Sequence, residues 1–166
     1  DSGRRRAPAV PGPCGVNIFG YLTAESGVGQ GARASTRCLE AAGAKISLIN
    51  IEDHISRKDD LSLASRFSRG TPYAVNLIHV NADMFGKFVV EQGNGHFAGK
   101  YNIGRWTWEL SEFPDHWRGS FAYCDEIWVP SAFVCKAVSA KSPVPPVRRA
   151  QQRATEPRYL HESGPR

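Results

Sequence analysis

The sequence lacks the features that mark membrane-spanning, secreted and zinc-binding proteins. No apolar run approaches the roughly 20 residues needed to cross a bilayer, and the basic N-terminus DSGRRRAPAVPGPCG has no apolar signal-peptide core. None of the four cysteines belongs to a C-x-x-C pair, and no histidine lies at zinc-finger spacing from them. We therefore expect reduced cysteines, with Cys38 and Cys135 buried in helices, no metal or cofactor, and a cytoplasmic protein.

Catalytic signatures and a basic fold surface are also missing. The chain contains no Ser-His-Asp order, no H-E-x-x-H and no P-loop. The net charge is +5, but residues 1–10 contribute +2 and residues 148–166 contribute +3, whereas residues 11–147 hold 13 basic and 13 acidic side chains. Because the excess charge lies at the two ends rather than on a folded face, we do not expect a nucleic-acid partner.

Short β-rich segments alternate with segments of helical spacing along the 166 residues. Strands are predicted at residues 16–22, 45–51, 73–80, 101–108 and 126–130, and helices at about 31–43, 61–67, 82–92, 114–123 and 131–140. This alternation predicts an α/β fold, a single Rossmann-like domain with a mostly parallel sheet covered by helices on both faces. We expect that domain to span residues 15–147, between a disordered tail at 1–14 and a disordered or out-of-frame tail at 148–166.

A glycine-rich segment, residues 26–31 (SGVGQG), joins the first predicted strand to the first helix. Glycines let the backbone approach a phosphate, and free N–H groups at a helix start attract anions. Ser26, Gly27, Val28 and Gly29 are therefore candidate contacts to a phosphate or a sugar. A flexible turn with close helix packing is the alternative.

The same segment partly fits a dinucleotide pattern. Gly27, Gly29 and Ala32 satisfy G-x-G-x-x-A, and Glu52 or Asp53 lies about twenty residues further on, where a ribose-binding acid is expected. Four residues separate the strand from the first glycine, whereas the dinucleotide turn follows its strand directly. An NAD(P)-dependent dehydrogenase is therefore an alternative function.

Polar residues follow the third predicted strand in the segment LIHVNAD. Ligands of parallel sheets bind beyond the carboxyl ends of the strands. His79 is thus a candidate catalytic residue that could bond a hydroxyl or act as a base near neutral pH, unless it is a buried histidine satisfied by backbone. Asn81 and Asp83 are candidate substrate-binding residues, with capping of the next helix as the alternative.

All four tryptophans lie between residues 101 and 131, together with five carboxylates. Trp106 and Trp108 share one face if the fourth strand is regular, and could stack on a sugar ring. Glu109, the second candidate catalytic residue, could accept the hydroxyls of that sugar. Simple packing of the aromatic rings is the alternative, and a non-catalytic carbohydrate-binding module is a further alternative function.

Several of these motifs together resemble a known family. The segments GVNIFGYLTAESGVGQGAR, NLIHVNAD, YNIGRWTWELSEFPDHW and DEIWVPSAFV are similar, in this order, to the N-terminal half of bacterial family 4 glycosyltransferases, which are retaining enzymes of the GT-B type. The resemblance implies an acceptor-side domain of an enzyme that moves a sugar from a nucleotide-sugar donor to a sugar or lipid-linked acceptor. It also implies that residues 27–31 face the donor phosphates, and that His79 and residues 106–109 border the acceptor and the transferred sugar.

The sequence departs from that family after Val147. The resemblance implies a second domain with two glutamates spaced as E-x7-E, but an arginine-rich segment without apolar periodicity follows instead. We therefore expect a truncated half enzyme, inactive alone, in which the missing donor domain leaves a bare surface open to self-association. Peripheral contact with a membrane, where a lipid-linked acceptor would lie, is a further expectation.

Overall fold

A computed structural model describes residues 13–52, 56–144 and 146–149. These residues form a six-stranded sheet in the order β2-β1-β3-β4-β5-β6, in which every neighbouring pair is parallel. The α/β class and the Rossmann-like architecture predicted from the sequence are thus confirmed. The strands are β1 Val16–Gly20, β2 Ile46–Asn50, β3 Val75–His79, β4 Tyr101–Arg105, β5 Glu126–Val129 and β6 Pro146–Arg148.

The helices lie between the strands as the alternating pattern predicts. The α-helices are α1 Gly27–Ala41, α2 Ala82–Gln92 and α3 Ala132–Ser139, and 3₁₀ helices occupy Ala64–Arg66, Asn94–His96 and Asp115–Tyr123. The helix predicted at 114–123 is therefore of the 3₁₀ type. Helix α1 begins four residues before the predicted start, because Ser26 caps it.

The two faces of the sheet carry different helices. Residues alternate between the faces along each strand, so Ile18 and Leu48 share one face, where they pack with Ala32 of α1. Phe19 lies on the opposite face, and its ring meets that of Phe88 of α2 at 5.6 Å between centroids. We call these the α1 face and the α2 face, and the larger aromatic core lies on the α2 face.

A sixth strand was not expected from the sequence. The segment PVPP at residues 143–146 predicts the end of the preceding helix, and the sequence indicates no strand after it, yet β6 begins at Pro146 and pairs with β5 at the edge of the sheet. Proline is tolerated as the first residue of an edge strand, since its missing N–H removes no bond from an inner ladder. Arg148 therefore belongs to the sheet rather than to the predicted C-terminal tail, of which residues 150–166 lie outside the described residues.

Buried asparagines connect three strands near the N-terminal edge of the sheet. Asn17, Asn76 and Asn102 occupy one row on the α2 face, and Ser47 continues the row on β2. The Asn17 Nδ2 donates to Asn76 Oδ1 at 2.8 Å, and the Asn76 Nδ2 donates to Asn102 Oδ1 at 2.7 Å. Further bonds tie this asparagine ladder to the carbonyls of Tyr73, His96 and Phe97.

Other expectations meet the structure only in part. No helix among the residues that the structure covers is both long and apolar enough to cross a membrane. Cys38 lies in α1 as predicted but is exposed, so its predicted burial is wrong, and Cys135 in α3 is partly buried. Cys124, just before β5, is the buried cysteine, and burial raises the pKa of its thiol.

Candidate functional site

The C-terminal ends of β1, β3 and β4 lie side by side, because these strands are neighbours in a parallel sheet. The residues at and after these ends, at 20–26, 79–83 and 105–109, form what we call the C-terminal rim. The strand order therefore brings the glycine segment, His79 and the Trp106–Glu109 segment to one edge of the molecule, as the sequence predicts for ligand-binding groups.

The glycine segment is the first turn of α1 rather than a loop. The Ser26 Oγ accepts a hydrogen bond from the Gly29 N–H at 3.1 Å, so Ser26 is the N-cap of the helix. Gly27 is exposed with open space around its Cα, and Val28 is partly buried against the aromatic core. The N-terminus of α1 thus points its backbone toward the rim, but Ser26 already occupies one of its donors.

Gly29 serves packing, not ligand access. A Cβ on this residue would lie 2.4 Å from the Ala24 carbonyl oxygen and 2.6 Å from that of Tyr21. The buried Arg33 holds the same turn, because its Nη1 donates to the carbonyls of Leu22 at 2.9 Å and Ala24 at 3.0 Å. The close-packing alternative for this glycine is therefore the one that the structure favours.

Arg33 was not singled out from the sequence, although it organises the loop after β1. Its Nε forms an ion pair with Asp60 at 2.8 Å, which anchors the segment 57–60 against this loop. Asp60 N–H donates to the Thr23 carbonyl at 3.2 Å, and Glu25 N–H donates to the Arg57 carbonyl at 2.8 Å. The loop that leads into α1 is thus fixed by contacts to a distant part of the chain.

His79 ends β3 on the α1 face and is almost completely buried, with 2% of its surface exposed. Its ordinary pKa of 6.5 is lowered to about 3, mainly because burial removes the ring from water and also because of the positive charge of Arg105. The ring is therefore neutral near pH 7, so the predicted role as a base that titrates near neutral pH does not fit its surroundings. Its Nε2 has no hydrogen-bond partner within the described residues.

Arg105, the last residue of β4, also escaped the sequence reasoning. The register pairs Ile78 with Gly104, so the next residues, His79 and Arg105, are neighbours on the α1 face. Arg105 is 8% exposed, burial lowers its pKa, and its Nη1 has no partner within the part of the chain that is described. The presence of an arginine inside a segment predicted to be a strand of a covered sheet was the available sequence signal.

Asn81 and Asp83 differ in their roles. Asn81 is the N-cap of α2, but its side chain accepts hydrogen bonds from the Thr107 N–H at 2.8 Å and the Thr107 hydroxyl at 3.1 Å. It therefore ties the end of β3 to the end of β4 and is not free to bind a substrate through that oxygen. Asp83 is exposed in the first turn of α2, where its charge suits the helix dipole and remains accessible to a ligand.

Trp106 lies on the α2 face and is 1% exposed. Its ring packs against those of Phe85, Phe113 and Phe121, at centroid distances between 5.3 and 5.9 Å. A buried ring cannot stack on a sugar, so the predicted stacking role of Trp106 does not fit this arrangement. β4 ends at Arg105 rather than at residue 108, yet Trp106 and Trp108 both pack against the ring of Phe113, so the two tryptophans lie on one side as expected and differ in their burial.

Trp108 is partly exposed and is held by other aromatic rings. Its ring meets that of Trp117 edge-on at 4.8 Å, and its Nε1 donates to the Glu112 carbonyl at 2.9 Å. Glu109 beside it is exposed and accessible at the rim. Asn81, Asp83, Trp106 and Trp108 line one small cavity of about 50 Å³, which holds a water molecule or two rather than a sugar ring.

Two larger hollows lie elsewhere. One of about 280 Å³ lies beside α2 and includes Asn50 and Glu52, and one of about 270 Å³ lies near Asn102 and Asp125 at the opposite edge of the sheet. Asp53, the alternative ribose-binding acid, is outside the described residues. In the described segments, no group of three His, Cys, Asp or Glu side chains is arranged to hold a metal ion.

Comparisons with known proteins add no family assignment. No protein-family model matches the chain, and no curated protein sequence matches it either. The ligand that the chain binds is therefore inferred from the residues of the C-terminal rim.

Proposed function

We propose that the chain is the acceptor-side domain of a glycosyltransferase that uses a nucleotide-sugar donor and a sugar or lipid-linked acceptor. The observation that carries the proposal is the gathering of the helix α1 start, His79 and the Trp106–Glu109 segment on three adjacent strand ends. Three of the four sequence motifs that resemble family 4 glycosyltransferases contain these same groups. By that resemblance, the rim would face a nucleotide-sugar domain across a cleft, in the cytoplasm.

The accessible rim groups have the chemistry that sugar binding needs. Asp83 and Glu109 are exposed carboxylates, which accept hydrogen bonds from hydroxyl groups. His79 lies behind these groups and is buried, and its pKa of about 3 makes its neutral ring a weak base, so it would form a hydrogen bond to the ligand rather than remove a proton from it. The partly exposed edge of Trp108 would border the sugar. Charge stabilisation of the leaving diphosphate would come from the second domain, so turnover by this domain alone is not expected.

The two alternative functions have less support. A dinucleotide site would use the glycines of the α1 turn for close approach to a pyrophosphate. The space beside Gly29 is instead filled by the Tyr21 and Ala24 carbonyls. A binding module based on two stacked tryptophans would need the ring of Trp106, which is buried. Neither alternative explains why polar groups of three separate segments meet at one rim.

The proposal is tested by ligand binding to the purified chain. We would record saturation-transfer NMR with a set of nucleotide sugars, with sugar acceptors and with NADH, followed by affinity measurements for the ligands that bind. Glu109→Gln and Asp83→Asn remove the rim carboxylates, and Glu91→Gln at the far end of α2 is the matched control. Loss of a charged acceptor should weaken sugar binding about fivefold or more, while the control should leave it unchanged.

The outcomes separate the three functions. Sugar or nucleotide-sugar signals that depend on Glu109 or Asp83 support the proposal. Binding of NADH alone would favour the dehydrogenase, and failure of every sugar ligand to give a signal would reject the acceptor-side domain. Robust sugar transfer by the purified chain would contradict the need for a second domain.

A further inference from the structure

Two arginines in this fold are equally buried, and only one of them is neutralised. Arg33 and Arg105 are each 8% exposed. Arg33 has an ion pair with Asp60 and two backbone carbonyls, which together satisfy its guanidinium. Arg105 has neither an ion pair nor a side-chain hydrogen bond among the described residues, and its Nη1 is shielded from water. Since a buried cation is retained where it has a partner, Arg105 calls for an anion.

Nearby carboxylates do not supply that anion. Glu126 is the carboxylate on the α1 face of the adjacent strand β5, one row below Arg105. Its two oxygens accept hydrogen bonds from the Trp128 Nε1 at 2.7 Å and the Tyr101 hydroxyl at 3.1 Å. Asp60 is held by Arg33. Glu126 and Asp60 are therefore both engaged with other donors.

His79 provides a second unsatisfied group directly beside Arg105. Its ring is neutral near pH 7, so one of its nitrogens carries a proton and can donate a hydrogen bond. The Nε2 has no partner within the described residues, and neither does the Arg105 Nη1. Two adjacent groups that can each donate to the same acceptor suit an oxygen that carries negative charge.

We propose that Arg105 and His79 form a subsite for an oxyanion, a phosphate or carboxylate group carried by the sugar ligand at the C-terminal rim. The subsite rests on the proposed function for the sugar part of the ligand, but not for the anion itself. Its residues lie on the α1 face, whereas Asn81 and Trp106 lie with the small cavity beside the α2 face. Because the subsite would donate hydrogen bonds to a negatively charged oxygen, it would distinguish charged sugars from neutral ones.

His79, Arg105 and Trp128 occupy one row on the α1 face, on β3, β4 and β5, and their exposure increases along this row. His79 is 2% exposed and Arg105 is 8% exposed, while Trp128, the partner of Arg105 on β5, is half-buried. The Arg149 guanidinium lies 5.2 Å from the centre of the Trp128 ring, which adds positive charge at the outer end of the row. A flexible arginine side chain at the boundary of the core can reach a ligand that approaches over Trp128.

The subsite is tested by calorimetric titration at constant ionic strength with four probes. Glucose 1-phosphate, glucuronate and methyl glucoside share a sugar ring and differ in charge, and inorganic phosphate lacks the sugar. We expect at least one charged sugar to bind about tenfold or more tightly than methyl glucoside, because charge-assisted hydrogen bonds are the strong ones. Preference for glucose 1-phosphate or for glucuronate identifies the oxyanion as phosphate or carboxylate.

Three variants assign any preference to the subsite. Arg105→Met and His79→Gln should abolish or strongly reduce it, whereas Arg118→Met, which removes an exposed arginine from the 3₁₀ helix, should preserve it. If Arg105→Met does not fold, His79→Gln carries the same comparison. Binding that ignores charge, or a preference that survives in Arg105→Met and His79→Gln, overturns the subsite.

The probes also separate failure of the subsite from failure of the proposed function. If inorganic phosphate binds through Arg105 while no sugar adds affinity, the oxyanion subsite stands and the sugar-handling function does not. If methyl glucoside binds as well as the charged sugars, the function stands and the subsite is rejected. If no probe binds to the wild-type chain, the subsite is rejected as well.

Discussion

Buried polar side chains at one end of the parallel sheet have hydrogen-bond partners, whereas three at the other end each have a nitrogen without one among the described residues. Near the N-terminal edge, Asn17, Asn76 and Asn102 bond to one another and to backbone carbonyls of the flanking loops. At the C-terminal rim, His79 Nε2, Arg105 Nη1 and Trp106 Nε1 are buried without a hydrogen-bond partner in the described residues. His79 and Arg105 belong to the same sheet as the asparagines, so the strand backbone does not explain the difference.

The comparison shows which end is complete in itself. A saturated network stabilises a fold, because each buried donor has lost water and found a replacement. Unsatisfied buried groups destabilise the free protein and become favourable only when a partner is added. The asparagine ladder therefore has a structural role, and the unsatisfied state of His79 and Arg105 is what the proposed oxyanion subsite would explain.

The largest expected effect is on the ladder. Asn76→Ala would leave Asn102 Oδ1 and the His96 carbonyl without their donor and would take an acceptor from Asn17. We expect a loss of about 3 kcal/mol in the free energy of unfolding. Urea unfolding measures it, with Asn94→Ala, an exposed asparagine in the neighbouring 3₁₀ helix, as a control expected to change stability by less than about 0.5 kcal/mol. Equal losses of stability for the two variants would contradict the structural role of the asparagine ladder.

A smaller effect concerns acid. The folded-state pKa of His79, about 3, lies below its ordinary value of 6.5, so the unfolded chain binds more protons between these values and stability falls as the pH drops through this window. Between pH 7 and pH 5 the loss from His79 should be about 2 kcal/mol. Unfolding of the wild type and of His79→Gln at both pH values measures it, and the variant should lose correspondingly less.

His116 provides the control for that measurement, because it is an exposed histidine whose ring meets that of Trp117 edge-on. His116→Gln should keep the wild-type dependence on pH. If His79→Gln also keeps the wild-type dependence on pH, burial does not hold the His79 imidazole neutral, and His79 does not belong with the unsatisfied groups at the rim.

The smallest effect is expected at Trp106. Trp106→Phe loses buried ring volume but also removes the unpartnered Nε1, and these two contributions oppose each other. The free energy of unfolding should therefore change by less than about 1 kcal/mol, as measured by urea unfolding. A loss of about 3 kcal/mol would mean that the Nε1 has a strong partner, such as a bound water, and that Trp106 does not belong with the unsatisfied groups of the C-terminal rim.

The strand and helix pattern was predictable because each element is determined by the spacing of apolar residues within a short segment. The apolar runs of β1 and β3 and the helical spacing of α1 correspond to the elements found, to within a few residues at their ends. Errors arose where a single residue overrides the local pattern. Ser26 starts α1 ahead of its apolar stripe, and Pro146 begins an edge strand that the sequence alone reads as a break.

The site was predictable only in its location. Parallel strands place His79, Asp83 and Glu109 at one edge, as the sequence indicated, but the exposure of each side chain could not be read from its spacing. Trp106 and Trp108 look equivalent in the sequence, yet one is in the core and the other is held at the surface by Trp117. Arg105 was overlooked because nothing within a few residues of it reveals whether it has an anionic partner.

The sequence by itself determined the α/β class, the order of the elements and the edge at which the candidate residues meet. These properties follow from periodicity and from the parallel direction of the strands, which depend on neighbouring residues. Only the tertiary structure decided which polar groups are satisfied, since their partners are distant along the chain. Asn17 bonds Asn76 across 59 positions, whereas Arg105 and His79, 26 positions apart by sequence number, meet without satisfying each other.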